Sequence, residues 1–327
     1  MYDLPAEFSS AQLEARTILI HILNEMKDTE SKYFPRYGKW VQRHPGLEKF
    51  CFQCVRPQVW AFLQGRWSLD SLKAISGDLK FEGRAVYLNG VLGLDRRVRI
   101  YIGQATCLRQ RVAQHLNFRY RRDNPSLHYH AMQYSIYNTI GSVALLPSPG
   151  MGSHALPGMD QPELLLNVLE TWMCLMFRTL PSQTLEEWLC GVEGVDKKRK
   201  EGKEGVFTGL NIVNPVQQGG DVRKWLDLNG SDDPLVLEYL ALGKAGKSDA
   251  EQRKHSDIPY VKKYEEQDTP AEVQKRYIKA ARQRMSQEQY EIRVPGWVLV
   301  SGLALALGIV LFNSSGGPQP KPRLRFR

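Results

Sequence analysis

The chain has 327 residues, 42% of them hydrophobic and 24% charged, with 44 Lys and Arg against 35 Asp and Glu. That composition supplies a core and excludes a wholly disordered chain, and the formal charge of +9 favours a polyanionic partner, nucleic acid or an anionic membrane surface. Five cysteines without framework spacing exclude a disulfide-built secreted fold.

Residues 1–11 lack a basic stretch followed by an apolar run, so no secretory signal peptide is read there. Ser9 and Gln12 make a capping-box pattern. Leu13, Ile18, Leu19, Ile22 and Leu23 then recur near helical spacing, which predicts a helix over 9–27. Between 37 and 64, Trp40, Phe50, Val59 and Phe62 lie among breaks at Pro45 and Pro57, so two or three short helices are expected. Cys51 and Cys54 sit one turn apart with no second ligand pair for zinc, and read as buried packing. Residues 1–80 thus form a helical block.

From Gly83 the pattern turns strand-like. A strand is predicted over 84–91, a turn over 90–97, and an alternating, β-branched second strand over 98–102. Residues 108–118 follow helical period, 119–124 read as a basic loop, 126–140 as helix and 142–146 as a third strand. Glycines and prolines make 147–160 a loop. Pro162 then starts a strongly apolar helix reaching 180, followed by a short helical piece over 185–189 and a solvated charged insertion over 196–205.

Residues 217–293 are charged, with an exposed helix expected over 270–290 and linker elsewhere. The run 296–312, GWVLVSGLALALGIVLF, carries no charge and as a helix spans about 25 Å. That is the short end for a transmembrane helix, so 294–312 are read as a membrane-spanning tail and 313–327 as a short basic tail. A single span placed there inserts after synthesis and leaves the main domain facing cytosol or nucleus. Which membrane receives it is open.

Three stretches carry chemistry. Val86-Tyr87-Leu88 and Tyr101-Ile102-Gly103 precede the helical pattern Leu108-Arg109-Gln110-Arg111-Val112-Ala113-Gln114-His115. Arg111 and His115, four apart, share a helix face, whereas Arg109 points elsewhere. Glu170 is a lone carboxylate in an otherwise apolar helix, a placement that burial penalises unless a cation compensates. Arg96, Arg97, Arg99, Arg109, Arg111, Arg119, Arg121 and Arg122 crowd between 95 and 123, opposed there by Asp95 and Asp123. That excess suits a phosphate-backbone groove. His128 and His130 follow the basic loop and read either as surface histidines or as phosphate and proton-transfer groups.

Over 83–216 these motifs resemble the core of the GIY-YIG endonuclease superfamily. The resemblance implies an α/β (α+β) domain with a small, mostly antiparallel sheet flanked by helices. It implies Tyr87 as base or water-orienting group with Tyr101 beside it, Arg111 gripping the scissile phosphate with His115 one turn on, and Glu170 holding one divalent ion, Mg²⁺ or Mn²⁺. Gly209-Leu210-Asn211-Ile212-Val213-Asn214-Pro215 resembles the family's closing segment, with Asn211 orienting the site or closing the domain. The first motif departs from the family letters, since Ala85 stands in the glycine place and Val86 in the isoleucine place. The expected function is metal-dependent cleavage of DNA or structured nucleic acid by a membrane-tethered domain. The alternative is the same fold kept as a binding module for nucleic acid or protein on a membrane-anchored adaptor.

Overall fold

The alternating residues after Gly83 form a hairpin that organises everything near the site. In the computed structural model, which describes residues 1–148, 156–195, 201–217, 226–228 and 230–242, Ala85–Gly93 (β1) pairs antiparallel with Val98–Ala105 (β2). Ser135–Leu145 (β3) adds antiparallel to the other side of β1. Glu201–Gly202 (β4) and Gly205–Val206 (β5) make a separate two-stranded hairpin. Thr208–Gly209 (β6) then pairs parallel with β2. The result is a four-stranded mixed sheet in the order β3-β1-β2-β6, flanked by helices.

Short helices lead into the sheet. Ser10–Lys27 (α1) carries the capping box predicted from Ser9 and Gln12 and buries Ile18, Leu19, Ile22 and Leu23. Leu13, expected on that apolar face, is instead 52% exposed, because it lies on the opposite side of the helix from the core. A π-helical turn, Phe34–Gly38, precedes Lys39–Arg43 (α2), Leu47–Cys54 (α3), Pro57–Gln64 (α4) and Leu69–Ile75 (α5). Cys51 and Cys54 are buried within α3, as packing predicts. After β2 come Leu108–Leu116 (α6), Phe118–Asp123 (α7) and Leu127–Gln133 (α8). Pro162–Met176 (α9), with Pro162 in its first turn, and Ser182–Leu189 (α10) follow β3.

Strand alternation divides the side chains. Val86, Leu88, Ile100 and Ile102 face a core that also contains Ile18 and Leu19 of α1 and Leu165, Leu169 and Trp172 of α9. The helical block of residues 1–80 therefore shares one core with the sheet. On the other face, Ala85 and Tyr87 pack with Leu108 and Val112 of α6, while Val91 packs with Leu127 and Met132 of α8.

Three expectations are corrected. Residues 119–124 are not a loop, because the Asn117 side chain accepts hydrogen bonds from the Arg119 and Tyr120 N–H groups and caps α7. The helix expected over 126–140 ends at Gln133, since pairing of 135–140 with β1 outweighs local preference. Nor does the fold stop at 217. Asp233 reaches back to Arg99 in β2, and residues 234–242 are helical. Among the described residues no helix is long and apolar enough to cross a membrane. The expected tail span and the exposed helix over 270–290 lie outside those residues.

Candidate active site

Tyr87 pairs opposite Gly103, and Tyr101 opposite Asn89. The two tyrosines are thus offset by two residues across the hairpin. Strand period still puts them on one face, with ring centroids 6.3 Å apart. The β1–β3 register shifts between Val86 and Tyr87, a bulge beside the residue that anchors the site. Gly103 makes the crossing possible. A Cβ there would stand 2.5 Å from Tyr87 Oη and 2.8 Å from Tyr101 Cε1.

Tyr87 is fully buried. Its hydroxyl lies 2.7 Å from His115 Nε2 and accepts from Arg111 Nε at 3.2 Å. Arg111 Nη1 donates to Gln114 Oε1 at 3.1 Å, so α6 itself steadies the guanidinium. Burial pushes the Tyr87 phenol up to about 12, against the lowering effect of Arg111. Burial also brings His115 down to about 3, helped by Arg111 and Arg121. His115 is therefore neutral, and its Nε2 shares one hydrogen with the Tyr87 hydroxyl. The resemblance implies Tyr87 as base or water-orienting group, and the structure places its hydroxyl in a buried position between His115 and Arg111.

Tyr101 is the tyrosine that reaches the open space. With Arg111, His115, His128, Glu170 and Asn211 it lines a cavity of about 460 Å³. Burial raises its phenol well above 10, with Tyr87 and Glu170 adding to the shift. Asn211 is built into the edge of β2. Its amide nitrogen donates to the Ile102 carbonyl at 2.7 Å, and its oxygen accepts from the Ile102 N–H at 2.9 Å. This side chain continues the sheet where β6 ends and leaves Asn211 on the cavity wall.

Glu170 projects from α9 and is 2% exposed, yet lines the same cavity. A single carboxylate on an open cavity matches an ion that keeps most of its waters, as Mg²⁺ does. Among the described residues no group of three or more His, Cys, Asp or Glu side chains stands ready to enclose a metal. The donor set thus fits one carboxylate with water or phosphate oxygens, not a protein cage.

The other expected residues divide. Arg109 pairs with Glu82 on the surface and stays away from the cavity, as its spacing predicts. Arg119 is exposed on α7 and is not part of the cavity wall. Arg122 pairs with Asp123 at the surface, whereas Arg121 donates to the His115 carbonyl at 2.6 Å. His128 is no surface histidine. It is 4% exposed, stacks on Tyr101 with ring centroids 4.0 Å apart, and bonds Asn89. His130 lies outside this cavity, in the wall of a neighbouring one. Arg99 leaves the expected basic groove altogether, being fully buried between Asp95 and Asp233.

Sequence reasoning missed Gln104, Asn167 and Tyr129. Gln104 Nε2 donates to Asn167 Oδ1 at 2.7 Å and so ties the end of β2 to α9. Asn167 stands one turn before Glu170, and this second polar residue in an apolar helix was the available signal. The chain matches no protein-family model, no curated protein and no solved structure.

Proposed function

We propose that this chain hydrolyses phosphodiester bonds in nucleic acid, DNA in particular, through a GIY-YIG-like site. The observation that carries the reading is the meeting of Tyr101, Arg111, His115, Glu170 and Asn211 on one cavity. Arg111 presents a planar fork to the scissile phosphate. Tyr87 and Gln114 hold that fork, and Tyr101 orients the attacking water from the cavity wall. Glu170 would hold a Mg²⁺ or Mn²⁺ ion. Such an ion, when bound, offsets charge growing on the phosphoryl oxygens and assists the departing oxygen. The uncharged run 296–312 would tether the domain to a membrane, with the domain on the cytosolic or nuclear side.

One observation favours a second reading. The Tyr87 hydroxyl already has two partners, and the Arg111 fork is partly engaged by Gln114. That arrangement also suits recognition of a phosphate backbone without turnover. The test is cleavage of branched, nicked and linear DNA by the full-length chain in mild detergent with Mg²⁺. Wild type cleaves, and Glu170→Gln and Arg111→Ala lose activity while far-UV circular dichroism is unchanged. Cleavage that survives both substitutions removes the assigned roles, and tight binding without cleavage selects the recognition module. For the tether, a fluorescent fusion lacking 294–327 leaves the membrane fraction; retention there refutes the anchor.

A further inference from the structure

A second cavity, of about 470 Å³, adjoins the one described above, and Pro125, Ser126 and Tyr129 belong to the walls of both. Its other walls carry Phe118, Arg121, His130 and Tyr239. We propose that it receives an unpaired nucleobase next to the scissile phosphate, so that the substrate is single-stranded at that nucleotide. The proposal rests on the nuclease reading and names its substrate class.

Four observations converge on this occupant. Phe118 is 62% exposed, a large ring on α7 that the core does not use. The Arg121 guanidinium lies 6.0 Å from that ring's centroid and is anchored through the His115 carbonyl, so a cation and a stacking face stand together at the mouth. Aromatic faces beside arginines are the chemistry by which proteins hold unpaired bases. Two buried polar atoms of the walls, Tyr129 Oη and His130 Nε2, have no hydrogen-bond partner within the protein. They make the wall polar, which suits a nucleobase better than a hydrocarbon. The shared wall, finally, puts any occupant beside the space reserved for the phosphate at Arg111. A base within a duplex has its edge paired and its faces stacked, so it cannot enter.

The test uses the full-length chain in mild detergent with EDTA, so that binding is read without cleavage. Two fluorescein-labelled DNA hairpins, each closed by a non-nucleotide linker in place of a loop, serve as probes, one blunt and fully paired, the other with a single-stranded overhang. Phe118→Ala is expected to weaken overhang binding about 5- to 150-fold, the worth of one base–aromatic stack, and to change blunt-hairpin binding less than twofold. Phe118→Trp is expected to keep the affinity. One abasic position in the overhang should reproduce the loss in wild type and add nothing to Phe118→Ala. Equal losses on both hairpins, or none on the overhang, overturn the base pocket while leaving Mg²⁺-dependent cleavage to stand. Wild type that binds neither hairpin overturns the nuclease reading and the pocket together.

Discussion

The Tyr87 hydroxyl and His115 Nε2 share a hydrogen bond across 2.7 Å. Arg111 donates to the same Tyr87 oxygen at 3.2 Å, and burial keeps His115 neutral. This has a consequence for pH. Folded His115 takes its proton near 3, whereas in the unfolded chain it does so near 6.5. The unfolded state binds the proton first. Stability is therefore fully present above about pH 6.5 and is lost as pH falls toward 3, at about 1.4 kcal/mol per unit. His128, lowered by burial and then by His115, Arg111 and Arg121, acts in the same direction. Urea unfolding between pH 7 and 4 should show the slope, and a His115→Gln/His128→Asn double variant should lose most of it. A flat wild-type profile would rule out the neutral pair.

Gly103 is required by the two tyrosines, not by its backbone. In Gly103→Ala the new methyl group meets Tyr87 and Tyr101 at less than 3 Å and forces both rings aside. The expected cost is about 1–3 kcal/mol, with loss of cleavage. Ala85→Gly, which restores the family letter, should behave differently. Ala85 is buried opposite Ala105 and is not among the residues that line the cavity. It should lose only about 0.5–1 kcal/mol, with activity unchanged. Urea midpoints and single-turnover rates for the two variants check both halves; an active, stable Gly103→Ala would show that the tyrosine crossing is not what demands glycine.

The parts of this arrangement legible in the sequence are those fixed by local period. Arg111 and His115 share a face of α6 because they are four apart, and Glu170 stood out as one carboxylate among leucines. Pro162 and the Ser9–Gln12 box marked helix starts for local steric and capping reasons. What stayed hidden depends on partners distant in sequence. Arg99 looked like part of a basic groove until Asp233, 134 residues on, closed over it. His128 looked exposed until the hairpin brought Tyr101 against its ring. The two-residue offset of the tyrosines came from the hairpin register, which the letters at 85–88 and 101–103 do not encode.

The two tyrosines should separate kinetically. Tyr101 faces the cavity, so Tyr101→Phe is expected to lower kcat about 100-fold with little change in KM. Tyr87→Phe instead removes a partner from both His115 and Arg111. It should cost about 1–3 kcal/mol of stability and a smaller share of the rate. Arg111→Lys should be nearly as damaging as Arg111→Ala, because lysine offers no Nε–H to Tyr87 and no fork to the phosphate. Steady-state kinetics with urea unfolding on the four variants decides it. A larger kcat loss in Tyr87→Phe than in Tyr101→Phe would return the water-activating role to Tyr87.

Arg99 and Asp233 test where the basic stretch ends as a surface and begins as a core. Arg99 Nη2 and Nε meet the Asp233 carboxylate, the former at 2.5 Å, with both side chains almost wholly buried. Asp95 caps the other edge of the guanidinium at 2.7 and 3.0 Å. Arg99→Ala strands the buried Asp233 carboxylate and should cost about 3–5 kcal/mol, whereas Asp233→Ala leaves Arg99 paired with Asp95 and should cost less. An Arg99→Met/Asp233→Leu pair should cost less than Arg99→Ala, since no buried charge is left unpaired. None of these should alter the salt dependence of DNA binding, because Arg99 never meets solvent. Arg121→Ala, by contrast, should lower the slope of log K against log salt by about 1, as loss of one phosphate contact does. Denaturant titrations and binding at several salt concentrations measure the two effects independently. A stable Arg99→Ala with a reduced salt slope would put Arg99 back in the nucleic-acid groove and break the link between Asp233 and the fold.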